Sequence, residues 1–264
     1  TSSWNELTEK MGYWVDMEKP YITYKSKYIE SVWFLIKRLF NKNLIYKGYA
    51  IQPFSPAAGT GLSSHELNLP GCYKDVTDTS VTALFKSKNH PFNNLCSDPV
   101  YFLAWTTTPW TLPANTALAV GNKITYSLVK TFNPYTKKPI NIIFAEKLKT
   151  DVLKGVVEVF DSKDLVFGTK KNTYLTLGSF LGKELVGLKY EQLLKFCQPF
   201  EKKENAFVVV HGDFVNTDGG TGIVHMAPTF GADDKIVAEN NDIPGMLILD
   251  KKNNPVPIVN KKGQ

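Results

Sequence analysis

From about Val76 onward the chain is written in short β-branched or aromatic runs separated by turn residues, a pattern that leaves few folds open. Runs at 100–106, 116–120, 124–130, 140–144, 156–160, 206–211, 222–225 and 246–249 each read as a strand of ordinary length. Two short helices are expected between them. One lies near 190–196, and the other starts around Ala232, where Asp233 and Asp234 place acidic side chains in the first turn. Many short strands with few helices define a strand-rich α+β class, whose strands are expected to curl into a closed or partly closed, barrel-like body.

The first seventy residues follow a different pattern. Ile29, Val32, Trp33, Ile36, Leu39 and Phe40 recur at helical spacing and predict a helix over 28–40 with a broad apolar face. Asn41-Lys42-Asn43 breaks the pattern, and residues 51–70, rich in Pro, Gly and Ser, read as an extended arm. A boundary is therefore expected between Gly48 and Tyr73. The organisation is 1–72, a helix plus extended arm; 73–250, the strand-rich domain; and 251–264, a polar, lysine-rich return arm. A start at Thr1 instead of Met is what a piece of a longer protein would show.

Composition excludes several classes. With 43% hydrophobic and 21% charged residues the chain is not disordered overall. It has no apolar run of about 18 residues and no basic-then-apolar leader, so no membrane partner or secretory signal is expected. Cys72, Cys96 and Cys197 lie far apart without a CxxC pair, which argues against a zinc site or disulfide framework and for a reducing, cytoplasmic setting. The net charge of +6 is local, because residues 121–200 hold 13 lysines against 7 acidic residues. Such a stretch suits phosphate contacts, or is simply a solvated lysine surface.

Two stretches carry chemistry. In Trp105-Thr106-Thr107-Thr108-Pro109-Trp110-Thr111-Leu112-Pro113-Ala114-Asn115, four threonines and an amide lie within eleven residues. Pro109 and Pro113 interrupt ladder bonding, so the segment is expected to bulge from a sheet and present its side chains. Hydroxyls so arranged bind a ribose, a carbonyl oxygen or a positioned water, or they bond their own backbone in a turn. The second stretch runs from Asp218-Gly219-Gly220-Thr221-Gly222-Ile223-Val224-His225-Met226-Ala227-Pro228 through Phe230-Gly231-Ala232-Asp233-Asp234. Here His225 sits near a strand end and Asp234 at a helix start, and each has a purely structural reading as a satisfied core histidine or a helix cap. The glycines precede a strand and lack the Lys-Ser/Thr of a phosphate loop.

Together the two stretches resemble the editing insertion of the isoleucine, valine and leucine class I aminoacyl-tRNA synthetases. Thr108 stands where the leucine and valine branches carry Arg, which makes the isoleucine branch the better match. Gly12-Tyr13-Trp14-Val15-Asp16, Tyr46-Lys47-Gly48, Tyr73-Lys74-Asp75-Val76 and Leu181-Gly182-Lys183-Glu184-Leu185-Val186-Gly187-Leu188 are similar to further landmarks of the family. The HIGH and KMSKS signatures of its synthetic site are absent, and Pro53-Phe54-Ser55-Pro56-Ala57-Ala58 lacks the cysteines that hold zinc in some relatives.

The resemblance implies hydrolysis of the ester in valine mischarged on tRNA(Ile), within an enzyme that attaches isoleucine with ATP. Residues 1–72 would then adjoin the synthetic core, and ATP and Mg2+ would serve only that absent site. The partners implied are the tRNA(Ile) 3' end carrying valine and the rest of the parent chain. One methylene separates isoleucine from valine and yields a binding pocket only about 1–3 kcal/mol, a limit for which the isoleucine synthetases are themselves the standard instance. By position in the motifs, Asp234 would hold the substrate ammonium. His225 would wall the pocket against isoleucine and help hold the terminal ribose. Thr107, Thr108, Thr111 and Asn115 would position the terminal adenosine and the attacking water, with Thr106 and Trp110 lining the substrate. No covalent nucleophile or metal is implied, and the general base is left open. Competing readings are a non-catalytic module that holds the tRNA acceptor end and a general oligonucleotide-binding barrel. The barrel reading requires exposed stacking aromatics, whereas aromatics such as Trp33, Phe34 and Phe102 fall within apolar runs.

Overall fold

The computed structural model describes residues 2–46, 48, 50–88, 91–92, 94–168, 172–252, 254–256 and 258. Lys47 of the Tyr46–Gly48 landmark and much of the expected 251–264 arm lie outside the described residues. The chain divides into two compact units, Thr1–Ala50 and Ile51–Gln264. The first holds α1 (Ser2–Lys10) and α2 (Ser26–Asn41). Helix α2 contains the predicted 28–40 helix and extends it at both ends. Its apolar stripe is there but uncovered: Trp33 is 72% and Phe40 64% exposed, and no described residue of this unit is buried.

The second unit begins with a small hairpin, β1 (Phe54–Ser55) and β2 (Thr60–Gly61), and one helical turn, α3 (Ser64–Leu67). Then come β3 (Val81–Lys86), β4 (Val100–Thr106), a 3-10 turn at Pro109–Ala114, β5 (Ala117–Val120), β6 (Thr125–Phe132) and β7 (Pro139–Ala145). They are followed by α4 (Lys149–Val152), β8 (Val156–Glu158), β9 (Asn172–Leu181), α5 (Gly182–Leu185) and β10 (Val208–His211). The last elements are β11 (Val224–Met226), α6 (Ala232–Asn240), β12 (Ile248–Leu249) and β13 (Pro255–Val256). Among the described residues no helix is long and apolar enough to cross a membrane.

The strand-rich α+β class holds, and among the described residues no closed barrel forms. Six strands make a mixed sheet in the order β3-β4-β7-β6-β9-β8, and its ladder ends at β3 and β8 without closing. Strands β10, β5 and β11 pair separately in a second sheet, with β5 parallel to β10 and antiparallel to β11. The two sheets share one core, in which Phe85, Phe102, Leu128 and Ile143 of the larger meet Leu118, Val120 and Val209 of the smaller. Side chains alternate across each strand. Leu103, Ile142 and Phe144 therefore face the other way and pack with Leu153 beyond α4, and Ala117, Ala119 and Met226 pack with Ala238 of α6.

Two further differences have clear causes. The helix expected near 190–196 is absent. Tyr190 instead bridges Ser87, its N–H bonds Phe207 O at 2.9 Å, and Glu191 N–H bonds Lys86 O at 2.7 Å. Long-range backbone pairing here overrides local helix preference. Conversely β9, the longest strand, is an element the sequence pattern does not announce, because Gly178 and Ser179 interrupt its apolar run.

Gly222 locks the entry to β11. Its φ is +70°, and a Cβ there would stand 2.3 Å from the Ala145 Cβ. Its carbonyl accepts the Tyr126 hydroxyl at 2.8 Å, while that oxygen accepts Gly121 N–H at 2.9 Å. Burial pushes the Tyr126 phenol up to about 12, so it remains a donor at any physiological pH. Gly222→Ala adds left-handed strain and a clash, and is expected to lower unfolding free energy in urea by about 2–4 kcal/mol. A change under about 0.5 kcal/mol, the range of an ordinary surface substitution, would contradict the packing described.

Candidate functional site

The two motifs meet. Thr106 ends β4, and its Oγ1 accepts the Thr108 N–H at 3.0 Å, which turns the chain out of the sheet into the Pro109–Ala114 turn. Prolines at the first position and inside this turn fit its short, irregular hydrogen bonding. From the turn, Thr111 Oγ1 reaches His225 Nε2 at 3.0 Å. Thr108 Oγ1 lies 3.2 Å from Thr106 Oγ1 and 3.4 Å from Thr111 Oγ1, so three hydroxyls form a row that ends on the imidazole. The threonines thus bond their own turn, as one of the two readings from sequence has it, and Thr111 also reaches a second segment.

His225 is positioned by β11. It pairs with Leu118 of β5, a residue of the inter-sheet core, so its ring points to that inner face. The residue is 7% exposed, and burial pushes its pKa from the ordinary 6.5 down to about 4. At neutral pH the ring is uncharged. Its tautomer follows from proton accounting: the single Thr111 hydroxyl proton goes to Thr108 O at 2.8 Å. Toward His225 that hydroxyl therefore accepts, and Nε2–H donates. Nδ1 is left as a buried acceptor with no partner among the described residues.

Asp234 lies in the first turn of α6, and its Oδ2 accepts the Ala227 N–H at 2.8 Å. This bond ties the carboxylate to the backbone two residues beyond His225. Gly231 leaves it room, since a Cβ there would fall 2.6 Å from Oδ2. Desolvation raises the Asp234 pKa, the Ala227 N–H opposes the rise, and neighbouring Asp233 adds to it. A half-buried carboxylate strained in this way gains from an incoming cation such as a primary ammonium.

The other predicted residues divide. Asn115 is 3% exposed and fully engaged: Nδ2 donates to Ala117 O at 2.8 Å and Met226 O at 3.3 Å, and Oδ1 accepts the Tyr190 hydroxyl at 2.7 Å. It belongs to the frame that joins the turn to β11. Thr107 and Trp110 are exposed, and Thr107 has no hydrogen bond among the described residues. Sequence reasoning did not single out Thr221, whose Oγ1 accepts the Trp105 N–H at 3.2 Å, or Tyr190. Tyr190 lies 75 positions from Asn115, and no local pattern announces that pairing. Among the described residues no cluster of three or more His, Cys, Asp or Glu side chains could hold a metal ion. Surface hollows beside Lys27 and Phe34, and beside Phe160 and Val166, contain none of these motif residues.

Comparison with known proteins shows the family of the chain. The family model for class I tRNA synthetases (I, L, M and V) matches residues 1–230, and the chain belongs to that family. It is similar to the isoleucine--tRNA ligase of Cytophaga hutchinsonii, with 55% identity over 263 residues, covering 100% of this chain and 23% of that protein. The isoleucine--tRNA ligase of Bacteroides fragilis is 51% identical over 264 residues, with the same 100% and 23% shares. The chain thus spans about a quarter of the length of the curated relatives it matches. Among solved structures, the P. knowlesi cytosolic leucyl-tRNA synthetase editing domain aligns with a TM-score of 0.45 at 18% identity, covering 62% of this chain and 63% of that one.

The neutral, buried His225 has a measurable consequence. Its pKa is about 6.5 unfolded and about 4 folded, so protonation favours the unfolded chain. Its contribution is present above pH 6.5 and is lost as pH falls toward about 4. Relative to His225→Gln, the wild-type chain is expected to lose about 3 kcal/mol of unfolding free energy across that window. Parallel stability profiles for the two proteins would show that His225 is not buried as described.

Proposed function

We propose that this chain hydrolyses the ester linking a wrongly attached valine to tRNA(Ile), as the editing part of an isoleucine-attaching synthetase. The observation that carries the reading is the contact of Thr111 with His225, which makes one site of two stretches that are remote in sequence. The carboxylate of Asp234 is tied to the same segment by the Ala227 N–H. A misacylated amino acid always presents a free ammonium, and Asp234 is the group suited to it.

The threonine row supplies donors and acceptors for the terminal ribose and an attacking water. With Thr111 accepting from Nε2–H, His225 is spent as a donor there, and its ring face limits side-chain size. Neutral His225 is a weak base with a pKa near 4, so positioning of the water accounts for more of the rate than proton abstraction by this ring. The hydrolysis requires no cofactor; ATP and Mg2+ belong to the synthetic site of the parent. Residues 1–72 and 251–264 serve as connecting arms that lead into and out of the editing body at 73–250. The uncovered stripe of α2 supports the assignment of the first arm, because it needs further polypeptide to bury it.

The test is release of amino acid from valyl- and isoleucyl-tRNA, both charged on tRNA(Ile). Asp234→Asn keeps an oxygen for the Ala227 N–H and removes the charge; it is expected to slow valine release about 100-fold, equivalent to about 3 kcal/mol. His225→Ala is expected to bring isoleucine release to within about tenfold of valine release, the scale of one methylene. Valine release that survives Asp234→Asn unchanged contradicts the ammonium assignment. Binding of the charged tRNA with release of neither amino acid would identify a holding module instead.

A further inference from the structure

Tyr190 lies outside both motifs, yet its hydroxyl ends in the frame of the site. The ring is fully buried and packs edge-on to Phe85 at 5.4 Å and to Phe207 at 6.1 Å between centroids. Its backbone is fixed as well, since N–H bonds Phe207 O at 2.9 Å and Phe207 N–H in turn bonds Thr116 O at 2.6 Å. The hydroxyl therefore has one direction available, and it donates to Asn115 Oδ1 at 2.7 Å.

That bond and the two carbonyls facing Nδ2 together fix how the Asn115 amide is turned. With Oδ1 committed to Tyr190, Nδ2 must face Ala117 O and Met226 O. The reversed amide would set its oxygen against two carbonyls and its NH2 against a hydroxyl that still has a proton to donate. Met226 O also receives the Thr116 N–H at 3.1 Å, so the stretch after the 3-10 turn is fastened to β11 at one carbonyl by two donors. The residue before Met226 is His225, and the same turn carries Thr111. Thr111 and His225 are thus fastened from behind through an amide that two carbonyls and the Tyr190 phenol hold in place.

We propose that Tyr190 is a positioning residue of this site, which acts through Asn115 to hold His225 in the Nε2-protonated tautomer against Thr111. Without the hydroxyl, Asn115 Oδ1 is a buried acceptor with no donor, and the amide shifts to reach water or another donor. The Nδ2 bond to Met226 O, the longer of its two at 3.3 Å, is then loosened, and Thr111 and His225 are held together less firmly.

The structural part of this proposal stands independently of the hydrolytic reading; only its kinetic arm rests on that reading. The experiment is nitrogen-15 NMR of the His225 imidazole at neutral pH in the 264-residue chain and in Tyr190→Phe. The wild-type ring is expected to be predominantly Nε2-protonated. In Tyr190→Phe the ratio of that tautomer to the other should fall at least about threefold, toward the mixture of a free imidazole. Thr131→Val is the control for loss of a buried hydroxyl. Thr131 donates to Thr173 O at 3.3 Å, away from the site, and its loss should leave the ratio unchanged. If Tyr190→Phe does not fold, Asn115→Ala removes the same link with the Tyr190 ring still packed, and the same criterion applies.

In the deacylation assay Tyr190→Phe should lower kcat for valine release about tenfold with KM within about twofold, as loss of positioning predicts. A folded Tyr190→Phe or Asn115→Ala chain that keeps the wild-type tautomer ratio overturns the proposal. A shifted ratio in a chain that releases no amino acid even as wild type supports the positioning role and counts against the hydrolytic reading alone.

Discussion

Strand β5 is the constraint on which the rest of this structure depends. All four of its residues, Ala117 to Val120, are completely buried, so none of its backbone groups reaches water. Each N–H and C=O must find a partner in the protein, and β5 finds them on both edges, in β10 on one side and β11 on the other. Two consequences follow. A separate three-stranded sheet, centred on β5, is built beside the six-stranded one. The segment bearing His225 is also held beside the continuation of the threonine turn, because that turn leads directly into β5.

Around this strand the same physical rule recurs: a polar group taken from water is matched by another segment. Thr116 N–H and Asn115 Nδ2 both go to Met226 O. Trp105 N–H goes to Thr221 Oγ1, and Tyr126 OH to Gly222 O. Each of these links runs between the two motifs or fastens one of them to the core. The site is therefore rigid at its base, with its exposed members, Thr107 and Trp110, on the turn that the links support. The match is not complete: His225 Nδ1 and, beside β5, Thr116 Oγ1 are buried without a partner among the described residues, and the Asp234 carboxylate is partly desolvated.

Much of this was legible in the sequence where local chemistry and long-range structure agree. The apolar alternation of β4, the β-branched runs of β6 and β7, the stripe of α2 and the acidic start of α6 each satisfied one pattern and formed as expected. Failures came where distant partners decided the outcome. Residues 190–196 have helical composition, but Tyr190 and Glu191 are claimed by the backbones of Phe207 and Lys86. The ten residues of β9 tolerate Gly178 and Ser179 because β6 supplies a ladder along them. At the site, the sequence pointed to Asn115 as a substrate contact, whereas its amide is consumed in joining Ala117, Met226 and Tyr190. A side chain's residue type shows what it can bond; only the fold shows which partner reaches it first.

The central claim is that the threonine turn and the β11 segment act as one unit through Thr111 and His225. A double-mutant cycle with Thr111→Val and His225→Phe, read on the rate of valine release from tRNA(Ile), tests it most directly. A shared hydrogen bond predicts coupling of about 1 kcal/mol, so the double variant should be about fivefold faster than the product of the single effects implies. Strictly multiplicative effects would mean that the two residues act independently, and that the contact joining the motifs has no part in the chemistry.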